Sequence, residues 1–240
     1  MVKISERLRT AAGLIGEGER LADVGTDHGY VPIYLVERKR IPSAIAMDIR
    51  TGPLERAREH IRMYGMEDYI QTRLSDGVAA LKPGETDAIL IAGMGGGLVI
   101  HILESGRAIC EQAHGLVLQP QSELPKVRRF LMENGYVTER EEMVMEDGKY
   151  YPMMRVHFDA SAVSHADSFT EEQELEFRYG KQLLTEKHPV LLAYLRWEVQ
   201  IQQDILTQLS GQPATEQIVA RIDAVKQILA QNARALAYYE

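Results

Sequence analysis

Residues Leu21–Tyr30 read LADVGTDHGY, a short apolar run that breaks into a glycine-containing turn. The run reads as a strand. Gly25 lets the backbone pass close beneath a ligand, and Gly29 stands where a following helix begins. Open α/β sheets place ligands in the crevice at the carboxyl ends of their strands, so these ten residues bear on both fold and site. Asp23 and Asp27 flank the turn, and Asp27 stands where a middle glycine of a dinucleotide-binding turn would be expected.

Outward from this stretch, apolar runs rich in β-branched residues alternate with helix-period segments from about residue 20 to residue 134, the pattern of parallel strands joined by crossover helices. The strands are RLADVG, AIAMDI, YIQTRL, DAILIAG and GLVLQP. Between them VPIYLVERK, GPLERAREHIRMYG, GLVIHILESGRAI and ELPKVRRFLMENG have helical spacing. After Gly135 the rhythm changes to YVTEREEMVME and KYYPMMRVHF around Asp147-Gly148, an antiparallel hairpin with left-handed turn residues. The expected fold is therefore α/β, with a seven-stranded, mostly parallel sheet over residues 1–160.

Residues 160–169, ASAVSHADSF, read as a linker into a second domain over residues 161–240. One helix is expected from Glu171 to Glu186, stopping near Pro189. Leu192, Leu195, Val199, Gln202, Leu206 and Leu209 then step by 3 and 4, as do Ile218, Ile222, Val225, Leu229, Asn232 and Leu236. With SGQPA between them, these stripes predict an antiparallel α-helical coiled-coil hairpin, with Gln202 and Asn232 setting register. Its partner is open: itself, the first domain or a nucleic acid.

Acids end three successive strands. Asp23 closes the first; Asp48, followed by Ile49, closes the second, where a ribose hydroxyl pair needs a two-oxygen acceptor; Asp76-Gly77 follows the third, where a carboxylate and a backbone N–H can address an adenine edge. A nicotinamide dinucleotide brings a pyrophosphate, which Asp23 and Asp27 repel. S-adenosylmethionine has no phosphate and carries a sulfonium and an ammonium group that acids attract. The charge of the loop thus selects the methyl donor. At the fourth strand Ala92-Gly93-Met94-Gly95 can line a flat pocket for a planar base, and Gln119 and Gln121 at the fifth can read a base edge.

The net charge of −8, divided evenly at residue 160 into −4 and −4, disfavours indiscriminate nucleic-acid binding. Local basic clusters remain at Lys3, Arg7 and Arg9, at Arg50, Arg56, Arg58 and Arg62, and at Lys126, Arg128 and Arg129. The single cysteine, Cys110, leaves no internal disulfide, and the histidines, among them His60, His101, His114, His157, His165 and His188, lack metal spacing, so no metal is expected. No apolar run approaches a membrane span and the N-terminus lacks a signal-peptide core; a soluble cytoplasmic protein is expected.

Together KISERL, DVGTDHGY, AIAMDI, SDG, IAGMGG, LQPQ and EDGKYY resemble the bacterial tRNA (adenine-N1)-methyltransferases that modify adenine 22, the TrmK family. The resemblance implies a Rossmann-like class I methyltransferase domain, S-adenosylmethionine as donor, tRNA as acceptor and a C-terminal coiled coil that assists tRNA binding. By motif match it places Asp23, Gly25, His28, Asp48, Asp76 and Gly77 around the donor, and Ile49, Ala92 and Gly93 complete the expected donor set. Asp27 is the expected catalytic residue. Arg7, Arg9, Met94, Gly95, Gln119, Lys126 and Arg129 are expected to face the tRNA. A methyltransferase acting on a small molecule or protein, or a non-catalytic tRNA-binding protein, are the alternatives; transfer to unmodified tRNA and consumption of donor separate them.

Overall fold

Four consecutive buried residues, Leu21–Val24, form β1, the strand from which the sheet is laid out in both directions. The computed structural model describes residues 1–164, 166 and 168–240; His165 and Asp167 of the expected linker lie outside the described residues. The chain divides into two units, Met1–Asp167 and Ser168–Glu240.

In the first unit β2 (Ala44–Asp48), β3 (Ile70–Leu74), β4 (Ala88–Met94) and β5 (Gly115–Pro120) run parallel to β1. The hairpin of β6 (Tyr136–Glu146) and β7 (Lys149–Phe158) closes the sheet through an antiparallel β5–β7 pairing, giving the order β3-β2-β1-β4-β5-β7-β6. The hairpin register ends at Glu146 opposite Lys149, with Asp147 and Gly148 both at positive φ, as the two-residue turn requires. The order reverses between β1 and β4, and the crevice at that reversal is where a ligand fits.

Helices α2 (Tyr30–Glu37), α3 (Thr51–Met63), α4 (Gly96–Ser105), α5 (Arg107–Cys110) and α6 (Leu124–Glu133) form the crossovers. The helix expected over residues 97–109 divides at Gly106 into α4 and α5. An N-terminal helix that the sequence pattern did not announce, α1 (Glu6–Gly13), is capped by the Ser5 hydroxyl, which accepts from Leu8 N–H.

Side chains two apart on a strand share a face. Leu21, Ala44, Ala46, Ala88, Leu90 and Val117 pack in one apolar cluster with Ala11, Ala12, Val31, Ile33 and Leu35 of α1 and α2. Continuing each strand by two residues brings Asp23, Asp48, Ala92 and Gln119 to that same face at the carboxyl end. Ala22, Val24, Ile89, Ile91, Leu116 and Leu118 pack on the other face against α4 and α6. Both central faces are thus dry, and the polar residues gather where the strands stop.

In the second unit, α7 (Glu171–Tyr179) and α8 (Lys181–Thr185) replace the single expected helix, because Gly180 sits at φ 94° between them. The long helices α9 (Pro189–Ser210) and α10 (Glu216–Ala237) then pack on one another, with the expected stripe residues buried or half-buried. Asn232 is fully buried and donates to Glu198, itself nearly buried. No described helix is long and apolar enough to cross a membrane.

Candidate active site

The turn after β1 is tied to β2 before any ligand is considered: Gly25 and Thr26 N–H groups both donate to the Met47 carbonyl at 2.8 Å. Gly25 has φ 78°, the left-handed conformation that favours glycine, while a Cβ there would meet only the movable end of the Met94 side chain. The Thr26 hydroxyl accepts from Gly29 N–H at 3.1 Å, and Gly29, at φ 68°, starts α2. A cleft of about 570 Å³ opens over this turn. Asp23, Gly25, Asp27, His28, Ala92, Gly93 and Arg7, all expected at the site, line it.

Asp23 is buried, and burial pushes its carboxyl up to about 6; the Asp48 charge adds to the rise while the Thr26 hydroxyl opposes it. Asp48, also buried, spends one oxygen on Arg50 N–H at 2.8 Å. Beside it Ile49 is 59% exposed, an apolar side chain held open at the strand end. Asp76 is exposed beyond β3, with Gly77 at φ 51°. Sheet order brings the three acids along the edges of adjacent strands, although Asp48, Ile49, Asp76 and Gly77 lie outside the lining of the cleft over β1 and β4.

Asp27 differs from the other acids. It is exposed, and each oxygen has a partner: Oδ1 accepts from Arg56 of α3 at 2.5 Å, and Oδ2 lies 3.2 Å from His28 Nε2. The Arg56 hydrogen bond, helped by the His28, Arg56 and Arg50 charges, holds the Asp27 carboxyl below the usual aspartate range, against the effect of burial. His28 lies near-parallel to Tyr30 at 5.1 Å and near His60 at 5.2 Å. Arg56, Tyr30 and His60 have no place in the expected donor, catalytic or tRNA set; position on the helix after Asp48 is the one local signal for Arg56.

On β4 the backbone bulges between Ala92 and Met94, with Gly93 at φ 80°. Gly93 and Gly95 are exposed and Met94 is half-buried over the Gly25 turn. Gln119 departs from the expected base-reading role. It is fully buried, because β5 is covered on both faces, and its Oε1 accepts from Arg7 Nη1 at 2.8 Å. Gln121, two residues on, is exposed and lines the cleft.

The basic residues also separate. Arg7 turns inward to Gln119 and lies 5.4 Å from the Tyr151 ring centroid, so it lines the cleft instead of standing free for phosphate. Arg128, from the third cluster, is buried against Glu141, Lys126 pairs with Glu123, and Arg129 is half-buried. Arg9 is exposed and pairs with Glu6 at 3.0 Å. No group of three or more metal-ligating side chains occurs among the described residues.

Known proteins place this architecture. A family described as a methyltransferase domain matches residues 4–154. The tRNA (adenine(22)-N(1))-methyltransferase of Bacillus subtilis (strain 168) is 34% identical over 236 residues, covering 95% of this chain and 98% of that one. The crystal structure of the B. subtilis tRNA methyltransferase TrmK superposes with a TM-score of 0.82 at 31% identity over 98% of this chain and 100% of that chain. A Streptococcus pneumoniae chain solved in complex with S-adenosyl-L-methionine gives 0.78 at 32% identity over 95% and 100%. A relative this similar along its whole length, joined to a seven-stranded sheet with acids at its strand ends, leaves one assignment: the chain belongs to the tRNA (adenine(22)-N(1))-methyltransferase family.

Proposed function

We propose that this chain transfers the methyl group of S-adenosylmethionine to N1 of adenine 22 in tRNA. The observation that carries the reading is the row of acids on adjacent strand ends, beside a turn too anionic for a pyrophosphate. The donor supplies a methyl carbon on a cationic sulfur, open to displacement by a lone pair. The residues present suit it: the cleft is within the range of roughly 300–1,000 Å³ usual for small-molecule sites. Asp23 would face the ammonium group, Asp48 has an oxygen left for a ribose hydroxyl, and Ile49 and Asp76-Gly77 would frame the adenine.

Adenine N1 carries an in-plane lone pair, so no proton has to leave before attack. The protein's task is alignment and compensation of the positive charge that spreads over the ring. Asp27, held by Arg56 and His28, accepts a hydrogen bond from the exocyclic N6 and faces that charge. It can take the N6 proton afterwards. N1 lies on the pairing edge, so the base must be unpaired or flipped into the cleft. The helical unit assists tRNA binding as an antiparallel coiled coil, and the enzyme works in the cytoplasm, where tRNA and donor meet.

The test incubates the protein with methyl-labelled donor and an unmodified tRNA transcript, beside a transcript carrying guanine at position 22, and maps the labelled nucleoside. Label at N1 of adenine 22 alone is expected; label elsewhere, or equal transfer to both transcripts, would remove the reading.

Two results are expected at the donor. Asp48→Ala should weaken donor binding by about 10- to 100-fold, the loss typical of hydrogen bonds to a charged acceptor. A calorimetric change below about threefold would detach Asp48 from the ribose. Donor affinity should also depend on pH through Asp23. Its folded pKa is raised, so the free protein holds the proton below about 6, and the ionised form that attracts the ammonium grows as pH rises. Affinity is expected to rise about tenfold from pH 5 to pH 7, and Asp23→Asn should flatten the profile. The same shift makes the donor-free protein lose stability as pH climbs from about 4 to about 6. A flat profile in the unsubstituted protein would break the link.

A further inference from the structure

We propose that a second, basic groove beside the donor cleft holds the tRNA backbone next to the target adenine, with Arg38 on Tyr34 as a stacking platform. The inference rests on tRNA being the acceptor. The groove, about 430 Å³, is lined by Val2, Lys3, Ile4, Arg9, Tyr34 and Arg38. Lys3 and Ile4 also line the donor cleft, so the two openings adjoin. A flipped base leaves its neighbouring phosphates close to the cleft mouth, and a groove that shares Lys3 and Ile4 with the cleft is placed to receive them.

Charge together with position beside the cleft selects it over the other basic clusters. In a chain of net charge −8, three cations converge here. Lys3 makes no ion pair among the described residues. Arg9 pairs with Glu6, but both side chains are more than half exposed, and such a pair is worth little and is readily traded for a phosphate. Glu37, the other acid nearby, is turned inward: it accepts from Val2 N–H at 3.0 Å and pairs with the terminal ammonium of Met1 at 3.3 Å, while its contact with Arg38 is a long 3.5 Å. Elsewhere Arg128 is committed to Glu141 in a buried pair and Arg56 is held by Asp27 at the donor cleft, whereas Lys126, like Arg9, pairs with an exposed acid, Glu123, but lines neither opening.

The Arg38 guanidinium carbon lies 3.8 Å from the Tyr34 ring centroid, well inside cation–π range. The Arg38 edge donors make only long contacts, Nη1 to the Tyr34 carbonyl at 3.4 Å and to Glu37 at 3.5 Å and Nη2 to Met1 Sδ at 3.8 Å, which a phosphate can displace, and stacking on the guanidinium tolerates any base. Phosphate and stacking contacts therefore come from the same two side chains, which suits a splayed single strand more than a duplex.

The test is steady-state methylation of unmodified tRNA as a function of salt, with donor binding measured by calorimetry. In the triple variant Lys3→Ala, Arg9→Ala, Arg38→Ala, KM for tRNA should rise at least about tenfold. The salt dependence of log KM should flatten by about 2 to 3, close to one unit per lost phosphate contact. Donor Kd should stay within about twofold, which also shows that the variant is folded. Tyr34→Leu, which keeps apolar bulk, should raise KM at least about fivefold with the salt slope retained, because stacking is not ionic. An unchanged KM and slope in the triple variant would overturn the groove, as would a loss seen in donor Kd instead of KM. Failure of the unsubstituted protein to methylate tRNA would strike the proposed function itself, a separate outcome.

Discussion

Asp27→Ala is expected to lower kcat for tRNA methylation by about 10²- to 10³-fold while donor Kd moves by less than about threefold. The magnitude is that seen when a single preorganised group facing developing charge is removed from an enzyme site. The insensitivity of donor binding follows from position: Asp27 is exposed at the cleft mouth, whereas Asp23 and Asp48 are buried at the strand ends. An exposed ion pair such as Asp27–Arg56 contributes little to the free protein. Once a base covers the cleft and excludes water, the same geometry gains strength, and the carboxylate is already aimed. Asp27→Asn keeps an acceptor oxygen and removes the charge, so its residual rate separates hydrogen bonding from electrostatics. Arg56 keeps Asp27 ionised at low pH, and kcat should therefore show no limb from Asp27 between pH 6 and pH 8. Turnover of Asp27→Ala within about threefold of the unsubstituted enzyme would remove the carboxylate from the chemistry.

What could be read in advance depended on how local the cause was. The strands and the hairpin rest on apolar runs and on Asp147-Gly148, whose backbone preference is a property of two residues. The acids were legible for the same reason, since a strand's end is visible in its own sequence. Gln119 was not: its burial depends on β4 and β7 pairing on either side of β5 and on Arg7 reaching in from α1, 112 residues away in sequence. Arg56 escaped because its meaning lies in a carboxylate 29 residues earlier. The breaks at Gly106 and Gly180 interrupt segments with continuous helical spacing, and spacing carries no information about φ. Eight residues were too few for α1 to announce itself without the strand ends it packs upon.

Glu198 presents the same difficulty with a larger energetic consequence. It falls outside the stepped stripe of α9, yet it is 6% exposed. Four donors from three helices converge on its carboxylate: Arg178 at 2.8 Å, Tyr179 at 3.0 Å, Tyr194 at 3.0 Å and Asn232 at 2.7 Å. Removing the acid by Glu198→Ala takes the shared acceptor away from Arg178, Tyr179, Tyr194 and the fully buried Asn232, and breaking a largely buried pair of this kind typically costs about 3–5 kcal/mol. Trp197, the only tryptophan in the chain, is the next residue on α9, so its fluorescence reports this unit. Urea unfolding followed at Trp197 should shift its midpoint down by at least about 1 M, given slopes of roughly 1–3 kcal/mol per molar urea. Replacing both charges, Glu198→Leu with Arg178→Met, should recover a large part of the loss, because an apolar pair avoids the desolvation that the ion pair needed four hydrogen bonds to offset. A midpoint that moves by less than about 0.3 M in Glu198→Ala would mean that water replaces the carboxylate, and that the node holds the helices in register without stabilising them.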